Sequence, residues 1–316
     1  NISNYLLLMR EGILVDQGKP KKVFRDLSHP YTKKLFSASS EQVSFKETNP
    51  SKETLLEVRS VSVNYRSHER GIFSKGKSVE AVSNVSLDIR KGERLGLVGE
   101  SGCGKSTLTR TILGLQSASS GYIKFEGQEV SKYANSFKKN IQVVFQDPYG
   151  SFNPRQKIGR LITEPFFTLG REAPPETEQR IIAQKMLKEV GLSSESIEKY
   201  IHEFSGGQRQ RIAIARALVI KPKLIIFDEA VSALDVSIRS QILKLIADLT
   251  ERYGLSYLFI SHDLTVIENI TENCLVMKNG KIVERGQTKH ILRDPKNEYT
   301  LSLINAAPKF PNFLHA

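Results

Sequence analysis

The stretch Gly99-Glu100-Ser101-Gly102-Cys103-Gly104-Lys105-Ser106 sets two glycines around four residues and follows them with a lysine and a hydroxyl. This is the phosphate-loop spacing, and its glycines let successive backbone N–H groups turn toward one anion. The surroundings fit. Arg94–Val98 reads as a short apolar strand running into the loop, and Ser106–Leu115 reads as a helix leaving it. A helix N-terminus adds partial positive charge where phosphates would lie. Lys105 is expected to reach the β- and γ-phosphates and the Ser106 hydroxyl to ligate Mg²⁺. An ordinary glycine-rich turn with a surface lysine needs neither the strand nor the helix.

Farther along, Leu224–Phe227 is a fully apolar run of strand length, as expected for a buried parallel strand. Asp228 and Glu229 follow at its C-terminal end, where α/β sheets bind ligands. Asp228 is placed to hold Mg²⁺, directly or through water, and Glu229 to polarise an attacking water as general base. Adjacent carboxylates repel, so both ionise comfortably only beside a cation. Further strands are expected at Leu55–Tyr65, Val79–Ile89, Tyr122–Phe125, Ile141–Phe145 and Tyr257–Ile260. Helices are expected at Glu176–Val190, Gly207–Ile220 and Ser237–Arg252. On the first of these, Ile181, Ile182, Met186, Leu187 and Val190 should share one face. Strand–helix alternation of this kind means an α/β core with a parallel sheet. Pro148–Ser205 breaks the alternation and reads as a helical insertion, and Arg66–Lys77 reads as a basic loop.

Phe204-Ser205-Gly206-Gly207-Gln208 opens the helix ahead of Pro222. Alone it is a plausible helix start and no more. Combined with the phosphate loop it points to a family: from about residue 50 to 310 the chain resembles the ATP-binding subunits of ABC transporters. The family's LSGGQ signature has Phe204 in place of Leu, with its polar part intact. Gln146 matches the Q-loop, Ser232-Ala233-Leu234-Asp235 the D-loop, His262 the switch histidine and Tyr65 the aromatic that stacks on adenine. The resemblance implies a P-loop NTPase of ABC type, with a mainly parallel core sheet, an antiparallel β subdomain and an inserted helical subdomain at about 147–207.

What the resemblance implies about the site is specific. Tyr65, Gly99, Glu100, Ser101, Gly102, Cys103, Gly104, Lys105, Ser106 and Thr107 would bind ATP. Ser205, Gly206, Gly207, Gln208 and Asp235 would bind it across a head-to-tail dimer with a second ABC ATPase domain. Ser106, Gln146 and Asp228 would hold Mg²⁺, and Glu229, His262 and Gln146 would serve catalysis. Glu229–Ser237, Phe259–Asp263, Asp294-Pro295, Tyr299-Thr300 and the tail Ala307–Pro311 look like the oligopeptide/dipeptide/nickel importer group. Such a subunit lies on the cytoplasmic face of the cell membrane, peripherally. It drives two transmembrane permease subunits and, indirectly, an extracytoplasmic substrate-binding protein. Some members carry a cysteine-rich C-terminal cluster, for which this chain lacks the cysteines. Peptides are the expected cargo, with nickel chelates as an alternative. A rival reading is a soluble ABC ATPase acting on ribosomes or nucleic acid. Ser37–Lys52 is too short for the long charged linker of translation-type members, and zinc-binding cysteines are lacking, so nucleic acid is not expected as a partner.

A repeat with a constant offset of 268 aligns Asn1–Ser39 with Asn269–Ala307 without gaps. Matched pairs include Leu7/Leu275, Met9/Met277, Gly12/Gly280, Gly18/Gly286, Asp26/Asp294, Tyr31/Tyr299 and Thr32/Thr300. Asn279-Gly280 is a favoured two-residue hairpin turn, and a short helix is expected near Thr288–Arg293. Residues 1–40 are therefore expected to be the closing segment of a preceding ABC ATPase domain, 41–52 a linker and 53–316 a complete ATP-binding domain. An N-terminal hairpin of the one domain is the plainer alternative.

Composition limits the remaining classes. The chain has 316 residues, 39% of them apolar and 25% charged, which suits a globular protein with ample core. No apolar run approaches the roughly 20 residues that cross a bilayer. Asn1–Arg10 has no signal-peptide pattern, and without a starting Met the chain is expected to be part of something longer. Cys103 and Cys274 are the two cysteines, too few for a disulfide scaffold or a four-cysteine cluster. A net charge of +12 suits phosphorylated ligands, nucleic acid or an anionic membrane surface without choosing among them.

Overall fold

The computed structural model describes residues 3–40, 50–66, 78–130 and 135–306. It opens on a hairpin, β1 (Leu6–Arg10) with β2 (Ile13–Gly18), followed by helices α1 (Pro20–Asp26) and α2 (Pro30–Ser40). Next come β3 (Thr54–Arg66), β4 (Ser78–Arg90), β5 (Arg94–Val98), α3 (Lys105–Ile112), β6 (Ser120–Phe125), β7 (Gln128–Glu129), α4 (Asn135–Asn140) and β8 (Ile141–Val144). The stretch that follows holds α5 (Ile158–Thr163), α6 (Glu176–Glu189) and 3-10 turns, and α7 (Gly206–Leu218) leads back to β9 (Leu224–Asp228). The chain then runs through α8 (Val236–Tyr253), β10 (Ser256–Ser261), α9 (Leu264–Ile270), β11 (Asn273–Lys278), β12 (Lys281–Gln287), α10 (Thr288–Arg293) and α11 (Glu298–Ala306).

The core sheet has the order β12-β11-β5-β10-β9-β8, and only the β11–β12 pair is antiparallel. Its central strands β5, β9 and β10 are buried along their whole length. Apolar side chains pack on both faces. Phe227, Tyr257 and Phe259 meet Ile212, Ile242 and Ile246 on one side, and Leu97, Leu258 and Ile260 meet Leu108 and Ile112 on the other. That double burial explains why these strands run apolar without alternation. An antiparallel sheet of order β4-β3-β6-β7 covers the second face. The architecture is the α/β class expected, with the phosphate loop leaving the C-terminal end of β5.

Two expectations need correction. The helix after the phosphate loop starts at Lys105 and ends at Ile112 rather than running to Leu115, because Gly114 takes a left-handed φ of 67°. Ile181 is 66% exposed, whereas Ala183, Met186 and Leu187 are buried. Two helical steps put it about 200° round from Ala183, off the buried face. The expected basic loop at 67–77, the linker at 41–49 and the tail at 307–316 lie outside the described residues.

The repeat recurs in three dimensions. Met9 pairs with Leu14 and Arg10 with Ile13, and at the same offset Met277 pairs with Ile282 and Lys278 with Lys281. A register shift falls between Leu8 and Met9 and, identically, between Val276 and Met277. Both turns use two left-handed residues, Glu11-Gly12 (φ 53° and 81°) and Asn279-Gly280 (φ 46° and 78°), as a type I′ hairpin turn requires. The copies differ in what surrounds them. β11 adds parallel to β5, whereas β1 pairs only with β2 among the described residues.

Candidate nucleotide site

The phosphate loop is held close to its floor. A Cβ on Gly99 would fall on the Met277 carbonyl oxygen, and one on Gly104 on the Ala81 carbonyl oxygen. Both residues also have positive φ, so the loop's path belongs to glycine at these two points. Gly104 caps α3 without a side chain, leaving the first backbone N–H groups of the helix free for an anion. Lys105 is buried, and its Nζ donates to the Gly99 carbonyl at 2.8 Å and the Glu100 carbonyl at 2.9 Å. Burial also pushes the Cys103 thiol up from its ordinary range, against the pull of the Lys105 charge.

β9 and β10 deliver the acidic side of the site. Glu229 follows β9 in a left-handed conformation (φ 50°), and its N–H donates to the Ile260 carbonyl of β10 at 3.0 Å. That conformation is costly for a non-glycine residue, and such strain gathers at functional positions. The result places the Glu229 carboxylate between a lysine and a histidine. Oε1 lies 3.8 Å from Lys105 Nζ, and Oε2 lies 3.3 Å from His262 Nδ1, just past β10. Asp228 is buried, and its Oδ1 has no hydrogen-bond partner. Burial first, then the neighbouring Glu229 charge, push its carboxyl up to about 6. An orphaned carboxylate oxygen held beside a phosphate loop fits a hard divalent cation that takes oxygen ligands.

The other expected residues divide into two groups. Tyr65, at the end of β3, donates its hydroxyl to Gln116 Oε1 at 2.7 Å and lies 3.3 Å from Thr107 Oγ1, so it flanks α3. Tyr65 is 41% exposed. Ser106 is exposed at the start of α3, and Gln146 is exposed beyond β8. The signature opens α7 as a capping box: Gln208 N–H donates to Ser205 Oγ at 3.4 Å and Ser205 N–H to Gln208 Oε1 at 3.0 Å. Gly206 and Gln146 line a separate cavity with Asp147, Ala233 and Leu234, one that the phosphate loop does not border. Asp235 caps α8, accepting from Ile238 N–H at 3.0 Å. The fold thus gathers Lys105, Asp228, Glu229 and His262 into one cluster. It leaves Ser205, Gly206 and Gln208 exposed, with Gly207 buried beneath them.

Some contacts at the site carry no signature in the motifs. Arg216 of α7 donates to the Ser151 carbonyl at 2.9 Å and covers the Phe152 ring at 4.4 Å. Arg209 covers the Tyr149 ring at 4.8 Å. Together they tie the segment after Gln146 to the signature helix. Their spacing of seven, two turns on one helix face, was the available signal.

These features define a P-loop ATPase of the ATP-binding-cassette type. Comparison with known proteins agrees. The ABC transporter family model matches residues 82–232, and that of the oligopeptide/dipeptide transporter C-terminal region matches 15–59 and 283–313. The dipeptide transport ATP-binding protein DppF of Haemophilus influenzae is 43% identical over 77% of this chain and 76% of its own length. The oligopeptide transport ATP-binding protein AppF of Bacillus subtilis is 45% identical over 83% and 80%. The glutathione import ATP-binding protein GsiA of Salmonella paratyphi A is 39% identical over 98% of this chain, which spans only 54% of that relative. Among solved structures, cbiO1 of Clostridium perfringens aligns with a TM-score of 0.65 at 27% identity, covering 80% of this chain and 95% of its own. The post-hydrolysis dimer of the cassette MJ0796, bound to ADP and Pi, also aligns at 0.65 with 26% identity, covering 74% and 99%. The chain belongs to the ABC transporter family, as an ATP-hydrolysing, ATP-binding domain. Among the described residues no helix is long and apolar enough to cross a membrane.

Proposed function

We propose that this chain energises a membrane importer of peptides by hydrolysing ATP at the Lys105–Glu229–His262 cluster. The bridging of Glu229 between Lys105 and His262 is the observation that carries the catalytic half. The names of the dipeptide, oligopeptide and glutathione relatives support the cargo class. None of these three relatives is named for ribosomes, nucleic acid or nickel.

In the proposed cycle Lys105 exchanges its loop carbonyls for phosphate oxygens, and the first N–H groups of α3 receive the same anion. Asp228 and Ser106 would hold Mg²⁺, and Gln146, which lines a separate cavity here, would have to swing in to join them; the ion, when bound, would neutralise phosphate charge and satisfy the orphaned Asp228 oxygen. Glu229 takes a proton from the water whose oxygen bonds to the γ-phosphorus. The bond to the β-phosphate oxygen breaks, and ADP leaves with the electron pair. His262 steadies the Glu229 carboxylate from the other side. Ser205–Gln208 and Asp235 act on the nucleotide of a partnering ATPase domain, so the two domains close on ATP and separate after hydrolysis. Two transmembrane permease subunits, met from the cytoplasmic face of the membrane, would take up that motion.

Residues 1–40 are, on this proposal, the closing segment of a further ATPase cassette. The repeated register, the repeated turn and the second match of the C-terminal-region family model support it. The test is partner capture with a tagged Glu229→Gln protein, gently solubilised from its host. Co-purification of two multi-span membrane proteins is the expected result. Recovery of ribosomal proteins or nucleic acid without them would overturn the importer reading.

A further inference from the structure

The phosphate loop has a partner outside the nucleotide motifs. Tyr299, at the start of α11, is 7% exposed, and its hydroxyl accepts a hydrogen bond from the Glu100 backbone N–H at 3.1 Å. That N–H belongs to the same peptide group as the Gly99 carbonyl, to which Lys105 Nζ donates at 2.8 Å. One peptide plane is therefore gripped from both sides, by Tyr299 on its N–H and by Lys105 on its oxygen. Bonds chained through one amide strengthen each other. The far end of the loop is tied to the same C-terminal unit, because Gly280 N–H donates to the Cys103 carbonyl at 2.8 Å.

Tyr299 is itself well braced. Its N–H donates to Asn297 Oδ1 at 2.9 Å, and Lys278 Nζ lies 4.5 Å from its ring centroid. The first copy of the repeat builds the same brace from other residue types. Tyr31 N–H donates to His29 Nδ1 at 3.1 Å, and the Arg10 guanidinium lies 5.6 Å from the Tyr31 ring centroid. Each partner keeps the repeat's constant offset from its counterpart. The hairpin–helix unit thus positions its tyrosine by its own contacts, before any phosphate loop is considered.

We propose that Tyr299 is a positioning residue of the phosphate loop. Its hydroxyl fixes the Gly99–Glu100 peptide plane, sets where the Lys105 ammonium rests, and so links the C-terminal unit of the chain to nucleotide affinity. The Tyr299 hydroxyl acts on the loop backbone, through the Glu100 N–H. Its effect should fall on binding, while the bond-breaking step, which depends on Glu229, is left alone.

The test is Tyr299→Phe in the full chain, which keeps the ring against Lys278 and removes one oxygen. Loss of a single hydrogen bond of this kind predicts an ATP Kd and KM raised about threefold to tenfold, with kcat changed by less than about twofold. Amide hydrogen exchange at Glu100, followed by NMR without nucleotide, should quicken by a similar factor, about threefold to tenfold. Lys278→Met, which loosens the brace on the ring but keeps the hydroxyl, should raise KM in the same direction by less than Tyr299→Phe does. Unchanged KM and Glu100 exchange in Tyr299→Phe would overturn the proposal. So would a joint fall in kcat and in the nucleotide-free melting temperature, the mark of a merely structural ring. Lys105→Ala, measured alongside, separates failure here from failure of the ATP site itself.

Discussion

At Asp228 the fold keeps a carboxylate buried with one oxygen unpaired. Its pKa is raised to about 6, so between roughly pH 4 and 6 the native protein binds the proton and the unfolded chain does not. Stability therefore falls as pH rises through that window, and above it the nucleotide-free fold carries a penalty on the order of 1–3 kcal/mol. Asp228→Asn should stabilise the nucleotide-free protein by about that amount at pH 7.5 and confer nothing near pH 4. Urea unfolding in chelator at the two pH values checks this, and equal effects at both would refute it. Lys105→Ala should weaken nucleotide binding by about 10- to 100-fold, as expected for charge-assisted hydrogen bonds, read by fluorescent-nucleotide titration. Glu229→Gln should bind normally and lose about 10²–10⁴ in kcat; hydrolysis at the wild-type rate would remove Glu229 as the base. Lys105, Asp228 and Glu229 were legible in the sequence because each sits at a fixed step from a strand end, and His262 through the family resemblance. The Tyr299 hydroxyl was not, because its partner lies 199 residues away and only tertiary packing brings them together.

Elements read well where burial is one-sided or complete. The all-apolar Leu224–Phe227 run became β9, and Ile238, Ile242, Leu245, Ile246 and Leu249 of α8 pack on the core. The Glu176–Val190 helix was legible as a helix but not in its full face, because Ile181 and Ile182 are adjacent and only one can point inward well. The signature is where element packing and chemistry meet. A Cβ on Gly207 would fall on the Ile238 side chain of α8, whereas one on Gly206 would meet nothing nearer than Leu234 Cδ2 at 3.9 Å. Gly207→Ala should therefore pry α7 from α8 and destabilise the nucleotide-free protein by about 1–3 kcal/mol. Gly206→Ala should leave that stability within about 0.5 kcal/mol, though its site faces the proposed trans nucleotide. Chemical denaturation of both variants without ATP separates packing from binding, and matched losses would refute the distinction.

For the whole molecule, the two copies of the hairpin form an internal control. Leu275 and Met277 are 5% and 0% exposed within the core, whereas their counterparts Leu7 and Met9 are 59% and 60% exposed. Identical residue types in identical register have opposite surroundings, since β11 is zipped to β5 and β1 pairs only with β2 among the described residues. The repeat itself was legible as a constant offset, but the exposure was not, because burial depends on a neighbouring strand that sequence similarity within the hairpin does not specify. An unpaired, apolar edge of this kind is the feature that native sheets cover. In the 316-residue chain, Met277→Lys should cost several kcal/mol by burying a charge, while Met9→Lys should stay within about 0.5 kcal/mol of wild type. Adding a cassette ahead of residue 3, as the proposed domain organisation requires, should bury Met9 as β5 buries Met277. Met9→Lys would then become destabilising by a comparable amount, measured as a loss of the melting transition of that added cassette. A Met9→Lys variant that stays neutral in the longer protein would show that the first hairpin is an appendage of the second domain rather than the last piece of another.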